Sequence, residues 1–371
     1  MVDFLSLAKR ESSKRTFCVE PYYNSTFFRL PELNALELNI VKLLMVNSAN
    51  TLSSLLETRF NVLQELINKP EYISFHIPKK KGGVRQIFAP KGELKVIQKK
   101  LNCYLQAYYL YAKPAEVHGF VISPKYILNP CTIVSNARCH TNKKQVLNID
   151  LKDFFPCITT FQVKKMFMSP PFAFSEHIAT ALALLTTYEG KLPIGAPTSS
   201  VISNFVCKQI DLDLKDFARL NNLTYTRYAD DLTFSSITRI ENACINGIRE
   251  VIEQNKFQVN EKKFRLQTTN RKQSVTGLTV NEKVNVDRKL LKKIRAMLYD
   301  WSKNGLLKAA LGHFKNEISN LDTDKIQSRF VNILDGYINF VSQVRGKNDP
   351  LVVRFKTAYC ENMKCSAGAI L

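Results

Sequence analysis

Two adjacent aspartates, Asp230 and Asp231, interrupt a run that otherwise reads as β-strand, Tyr-Thr-Arg-Tyr-Ala-Asp-Asp-Leu-Thr-Phe over 225–234. Asp is depleted in strands, and neighbours on an extended strand face opposite sides. At a hairpin tip the backbone turns, and both carboxylates can address one space open to solvent and ligands. A third carboxylate, Asp150, ends the apolar run Val146–Ile149. If that strand lies beside the hairpin, three acidic groups converge and need a cation. Hard divalent ions with oxygen ligands, Mg²⁺ above all, match such a site. Two ions about 3.5–4 Å apart suit phosphoryl transfer, one activating an attacking 3′-hydroxyl and the other holding a triphosphate and its leaving pyrophosphate. An isolated Asp-Asp reads as a solvated turn; flanking apolar strands and an upstream Asp150 favour the metal site.

Charge points to the same chemistry. Lysine and arginine number 53 against 32 acidic residues, a net +21 spread along all 371 residues. A distributed excess of this size suits a polyanion, most simply nucleic acid. The length favours two or three packed subdomains. No stretch reaches the roughly 18 uncharged apolar residues of a membrane span, and the N-terminus lacks the apolar core of a signal peptide. Nine cysteines occur without a C-x-x-C pair, and Cys139-His140 has no second pair at zinc spacing. Reduced thiols in a cytoplasmic protein with no membrane partner are the expectation.

Periodicity outlines the elements. Residues 31–68 read as helical, with Leu33, Leu36, Ile40, Leu43 and Leu44 in step and Thr51 as the cap of a second helix reaching Leu66. Tyr72–Pro78 and Val84–Ala89 read as strands around a basic turn, Lys79–Gly83. Leu94, Ile97, Leu101, Leu105 and Tyr108 stripe a helix. Helical texture over 161–187 breaks at Gly195–Pro197 and resumes over 198–217; a further helix covers 239–255, short strands 257–286, and basic helices the rest. Strands and helices interleave without a βαβ rhythm, which favours an α+β architecture.

The sequence resembles the reverse transcriptases. Tyr228-Ala229-Asp230-Asp231 is similar to that family's Tyr-x-Asp-Asp box, and Asn148-Ile149-Asp150-Leu151-Lys152-Asp153-Phe154-Phe155 to its first carboxylate motif. Leu192–Ser200 resembles its Gly-Ala-Pro loop, Lys80–Pro90 its fingers hairpin, and Asn260-Glu261-Lys262-Lys263 its Asn-x-x-Lys segment. Five blocks in the family's order are specific where one would be weak. Asn136-Ala137-Arg138-Cys139-His140 (Asn-Ala-x-x-His) and Val275-Thr276-Gly277 narrow the resemblance to bacterial retron enzymes, as does an end soon after a basic helical segment.

That resemblance implies a right-hand polymerase with an antiparallel palm sheet backed by helices and a helical thumb. The expected division is an N-terminal helical region over 1–70, fingers over 71–145, palm over 146–285 with fingers helices at about 160–205, and a basic thumb over 286–371. Asp150, Asp230 and Asp231, with the Leu151 carbonyl, would bind two Mg²⁺ ions. Arg85 would clamp the triphosphate, where a planar guanidinium suits better than lysine, with lysines 79–81 assisting or forming a plain basic turn. Phe155 would exclude a 2′-hydroxyl, or is a core aromatic. Lys263 would protonate pyrophosphate, or is a surface lysine. Gly195 would shape the nucleotide pocket. Asn136, His140, Val275, Thr276 and Gly277 would contact RNA; Asn136 and His140 equally suit a buried pair fixing a loop, and Gly277 a close turn. Ile194 and Val201 depart from the family's usual Gln and Pro, which puts side-chain contact with the nucleotide at 194 in doubt.

The implied activity is RNA-templated DNA synthesis from deoxynucleoside triphosphates on a cognate structured non-coding RNA (msr-msd). Priming from a guanosine 2′-hydroxyl would give branched RNA–DNA (msDNA), and an effector protein would link it to anti-phage defence. Alternatives are a diversity-generating, abortive-infection or intron-type reverse transcriptase, or a non-catalytic RNA-binding scaffold with a polymerase fold.

Overall fold

Two hairpins dominate the layout, one carrying a basic turn and one carrying the twin aspartates. The computed structural model describes residues 3–14, 33–79, 82–124, 127–314 and 322–368. Helices α1 (Phe4–Lys14), α2 (Ala35–Leu44), α3 (Ala49–Leu55) and α4 (Phe60–Asn68) precede the hairpin of β1 (Tyr72–Pro78) and β2 (Val84–Pro90). Next come α5 (Gly92–Ala112), α6 (Ile133–Arg138), β3 (Gln145–Asp150), α7 (Thr160–Met168), α8 (Glu176–Thr186), α9 (Ser199–Val206) and α10 (Lys208–Leu220). The hairpin of the twin aspartates is β4 (Thr224–Tyr228) and β5 (Asp231–Ser236), followed by α11 (Asn242–Gln254), a 3₁₀ turn at Glu261–Lys263, and strands β6 (Arg265–Thr268), β7 (Ser274–Val275) and β8 (Leu278–Thr279). The chain closes with α12 (Arg288–Asn304), α13 (Leu306–His313), α14 (Thr323–Arg345) and α15 (Pro350–Gly368). A four-stranded sheet runs β4-β5-β3-β6, and β1-β2 and β7-β8 form separate two-stranded sheets. The architecture is α+β, as expected, with helices around the sheets.

Sequence periodicity found the helices but misplaced several ends, for local reasons. Residues 33–68 hold three helices, not two. Ser48 caps α3 with Thr51 as its reciprocal partner, so Thr51 is not the cap. Glu57 at φ 53 ends that helix in the left-handed region, and α4 restarts at Phe60. The run over 161–187 is two helices because Pro170-Pro171 supplies no backbone donor and cannot continue a helix. Cys207 separates α9 from α10.

The chain divides into two compact units. The first comprises Met1–Cys131, Asn148–Phe234 and Ile240–Arg265. Its helix α5 buries Leu94, Ile97, Leu101 and Leu105 against α2, α8 and α9. An aromatic cluster joins Tyr108, Phe172 and Phe205, with Phe172 and Phe205 centroids 4.8 Å apart. The second comprises Thr132–Leu147, Ser235–Arg239 and Leu266–Leu371. Its core gathers Ile294, Leu298, Trp301, Phe330, Leu334 and Ile338 from α12 and α14, with Val275 and Leu278 from the small β7–β8 hairpin. No helix among the described residues is long and apolar enough to cross a membrane.

Candidate active site

The turn between β4 and β5 is made by Ala229, which takes φ 60. A left-handed residue at that point reverses the chain, with Asp230 in the turn and Asp231 opening β5. The end of β3 is stitched directly to this turn: Leu151 N donates to Asp230 O at 3.0 Å. On its other side Asn260 N donates to Asp150 O at 2.8 Å, and Lys152 N to Gln258 O at 2.8 Å. The backbone therefore delivers Asp150 and the Asp230-Asp231 pair to one region of the first unit.

The electrostatics agree. Burial, then the nearby Asp150 carboxylate, push the Asp230 carboxyl above its ordinary range, and Lys263 and Arg85 partly offset this. Asp231 opens to solvent at the tip but is crowded by protein. Loss of hydration, then repulsion from Asp230 and Asp150, raise its carboxyl to about 6. Asp150 is 5% exposed. It takes Lys263 Nζ on Oδ1 at 2.5 Å and Asn260 Nδ2 on Oδ2 at 2.9 Å. Burial pulls Lys263 down, but its bond to Asp150 and the three carboxylates outweigh this and hold it as an ammonium.

Lys263 thus neutralises Asp150 here. Among the described residues no three Asp, Glu, His or Cys side chains stand at mutual metal-holding distance. The donor chemistry still suits a hard divalent cation: the groups at the turn are oxygen donors, and two of the three carboxyls are raised partly by mutual repulsion that a cation would relieve.

Arg85 is exposed on β2 and pairs across the hairpin with Ile77. Cross-strand partners share a face, so its guanidinium stands on the face of Ile77, Phe75 and Ile87, and its charge reaches Asp230. Lys80 and Lys81 lie outside the described residues; Lys79 N donates to Gly83 O at 2.9 Å across the turn. Gly195 has φ +115, and a Cβ there would meet Ile87 Cγ2 at 2.6 Å and Phe88 O at 3.1 Å. The adjoining bond from Phe88 N to Ile194 O, at 2.8 Å, fastens the Gly-Ala-Pro loop to β2. Phe155 is half-buried, its ring 5.3 Å from Phe154 and 5.8 Å from Phe120 by centroids. Val201 is fully buried inside α9.

The residues expected to touch RNA lie in the second unit. Asn136, His140 and Val275 are each 0% exposed. His140 Nδ1 pairs with Ser235 Oγ at 2.7 Å, and Val275 packs in the core. None of these three side chains is exposed, and of the two polar ones His140 is held by Ser235, whereas both Asn136 side-chain polar atoms are buried without a hydrogen-bond partner. Thr276 (φ 47) and Gly277 (φ +84) form the β7–β8 turn, and Thr276 Oγ1 donates to Ile133 O at 3.2 Å. Space around Gly277 is open, so its glycine serves the turn.

Sequence reading missed what lies under the Asp230-Asp231 turn. Arg227, fully buried, donates through Nε and Nη2 to Asp211 at 2.7 and 2.6 Å. Its Nη1 reaches Asn204 Oδ1 at 2.9 Å and Ala229 O at 3.2 Å. The signal was present: an arginine inside an apolar strand, and an aspartate on the inner stripe of α10 beside Ile210 and Leu214.

Residues 77–280, more than half of the chain, match the family described as reverse transcriptase (RNA-dependent DNA polymerase). The Retron Mx65 reverse transcriptase of Myxococcus xanthus is 34% identical over 262 residues, 65% of this chain and 58% of that protein. This chain therefore spans little more than half of that relative's length. The Retron Ec86 reverse transcriptase of Escherichia coli is 30% identical over 275 residues, 72% of this chain and 82% of that protein. Among solved structures, telomerase from Candida albicans in complex with a TWJ fragment of telomeric RNA aligns with a TM-score of 0.43 at 11% identity, covering 80% of this chain and 64% of that one. The ordered motifs, the hairpin that presents two aspartates and these sequence relationships place the chain in the reverse transcriptase family, among the bacterial retron reverse transcriptases.

Proposed function

We propose that the chain polymerises deoxynucleotides on an RNA template. The observation that carries this reading is the bond from Leu151 N to Asp230 O, which ties the strand end bearing Asp150 to the turn bearing Asp230 and Asp231. Asp150, Asp230, Asp231 and the Leu151 carbonyl would hold a pair of Mg²⁺ ions. When bound, such ions lower the pKa of an attacking hydroxyl and neutralise the leaving pyrophosphate. Arg85 takes the triphosphate from the fingers hairpin, Gly195 keeps the pocket floor close to β2, and Phe155 closes the space beside C2′ of the sugar. Lys263, charged and beside the carboxylates, carries the proton that pyrophosphate takes up on leaving. Residues 71–145 act as fingers, 146–285 as palm and 286–371 as thumb, whose basic helices suit a duplex or an RNA stem.

The retron relatives support a finer reading. The template is a structured non-coding RNA (msr-msd) made near the gene, synthesis starts from a guanosine 2′-hydroxyl, and the product is branched RNA–DNA (msDNA). Through a partner effector it serves anti-phage defence. Asn136, His140, Val275, Thr276 and Gly277 contribute to RNA recognition by shaping the surface around the β7–β8 turn.

Nucleic acid that co-purifies with the chain tests the finer reading. RNase should trim it to a shorter DNase-sensitive species of discrete length. Recovery of random RNA fragments alone would overturn the retron product while leaving polymerisation standing.

A further inference from the structure

We infer that Phe120 is a second ring of the sugar gate, a positioning residue that sets where Phe155 stands and so how strictly the pocket prefers deoxyribose over ribose. The inference rests on the polymerase reading and on Phe155 as the gate.

The segment before Phe120 is sewn along the catalytic hairpin. Arg227 N donates to Glu116 O and His118 N to Arg227 O, each at 2.9 Å. At Gly119 the segment touches the turn itself: a Cβ there would lie 2.3 Å from Ala229 N and 2.8 Å from Tyr228 C. Only glycine fits, so the next residue starts from a fixed point. Phe120 then adopts φ 58, a region that a bulky non-glycine residue enters only when its surroundings dictate it.

Those surroundings are on hand. Asn204 Nδ2 donates to Gly119 O at 3.0 Å and reaches Phe120 O at 3.4 Å. Gln106 Nε2 donates to Phe120 O at 3.2 Å, and Gln106 Oε1 accepts from Ile122 N at 3.2 Å. Asn204 is itself 0% exposed and held by Arg227, which Asp211 clamps. One buried network therefore fixes both the Ala229 carbonyl of the catalytic turn and the backbone of Phe120.

The product of this constraint is a ring contact. Phe120 stands 5.8 Å from Phe155 by centroids at 41°, while buried Phe154 meets Phe155 from another side at 5.3 Å. Phe120 is only half-buried, so filling a core does not account for it. A gate ring excludes a hydroxyl only as well as its supports stop it from tilting away. Phe154 and Phe120 are those supports, and Phe120 is the one tied to the catalytic turn.

The test is single-nucleotide incorporation on a primed RNA template, comparing kcat/KM for a deoxynucleotide with that for the matching ribonucleotide. Phe120→Ala should lower the deoxy-over-ribo preference about tenfold, the scale of discrimination available from a reshaped pocket wall, chiefly through a lower KM for the ribonucleotide. Phe120→Tyr, which keeps the ring, should retain the wild-type ratio. Adding Phe120→Ala to Phe155→Val should loosen the ratio no further than Phe155→Val alone, because the two rings act as one unit. Should Phe120→Ala incorporate neither sugar, Phe120→Leu decides by the same ratio. A wild-type ratio in the Ala or Leu variant, alongside a relaxed one in Phe155→Val, overturns this inference alone. A wild-type chain that accepts both sugars equally overturns the gate, and one that incorporates neither overturns the polymerase reading.

Discussion

At Gly195 a side chain has nowhere to go. Its φ of +115 disfavours any L side chain, and the space a Cβ needs is taken by Ile87 and Phe88 of β2. Gly195→Ala should therefore push the loop off β2 and break the bond from Phe88 N to Ile194 O. The expected outcome is about a tenfold rise in KM for the incoming nucleotide, since strain and overpacking at such sites cost roughly 1–3 kcal/mol. RNA affinity measured by filter binding should stay near the wild-type value. Equal losses in both would show that the glycine serves general folding and not the pocket. At this scale the sequence marked the carboxylates and Gly195 as candidates, and the structure shows why no side chain fits at 195. Sequence reading left Asn136 and His140 open between contact with RNA and a buried pair, and the packing of the second unit buries both, together with Val275.

Between elements, the hairpin β4–β5 is anchored to α10 by charge. Burial alone would favour a neutral Arg227, but the Asp211 carboxylate outweighs this and keeps the guanidinium charged. Tyr225 OH adds a third donor to Asp211 at 2.9 Å. Asp211→Ala strands a buried guanidinium and should lower unfolding stability by about 3–5 kcal/mol, read from the urea midpoint at constant slope. The paired replacement Asp211→Leu with Arg227→Met should cost less than either single change, because it removes both charges together. A single change that leaves the midpoint in place would show that the pair is dispensable to the hairpin. The elements themselves were legible, since apolar stripes at helical and strand spacing mark them. Their ends were not, because Glu57 entering the left-handed region and Ser48 outcompeting Thr51 as a cap depend on neighbouring backbone. The ion pair was only half legible: Arg227 is the single charge on β4, but Asp211 is one of three aspartates on α10, and only the packing shows which of them meets it.

For the whole molecule, one sign of charge and one site of the opposite sign define the chemistry. The excess of 21 positive charges is spread along the chain, while Asp150, Asp230 and Asp231 share a common field in the first unit. A cationic protein with a small anionic site suits a polyanionic template and a triphosphate handled by divalent cations. Composition showed the cationic part. That β3 lies beside β5 was posed from the sequence only as a condition, because the two strands are far apart in the chain and their pairing is not a local property.

The most direct measurement is extension of a primed RNA template with deoxynucleotides and Mg²⁺, run side by side for the wild type and for the double variant Asp230→Asn/Asp231→Asn, with matching unfolding midpoints as the check on folding. The account predicts extension by the wild type that chelation stops and no extension by the variant. Extension by the variant at the wild-type rate would contradict it.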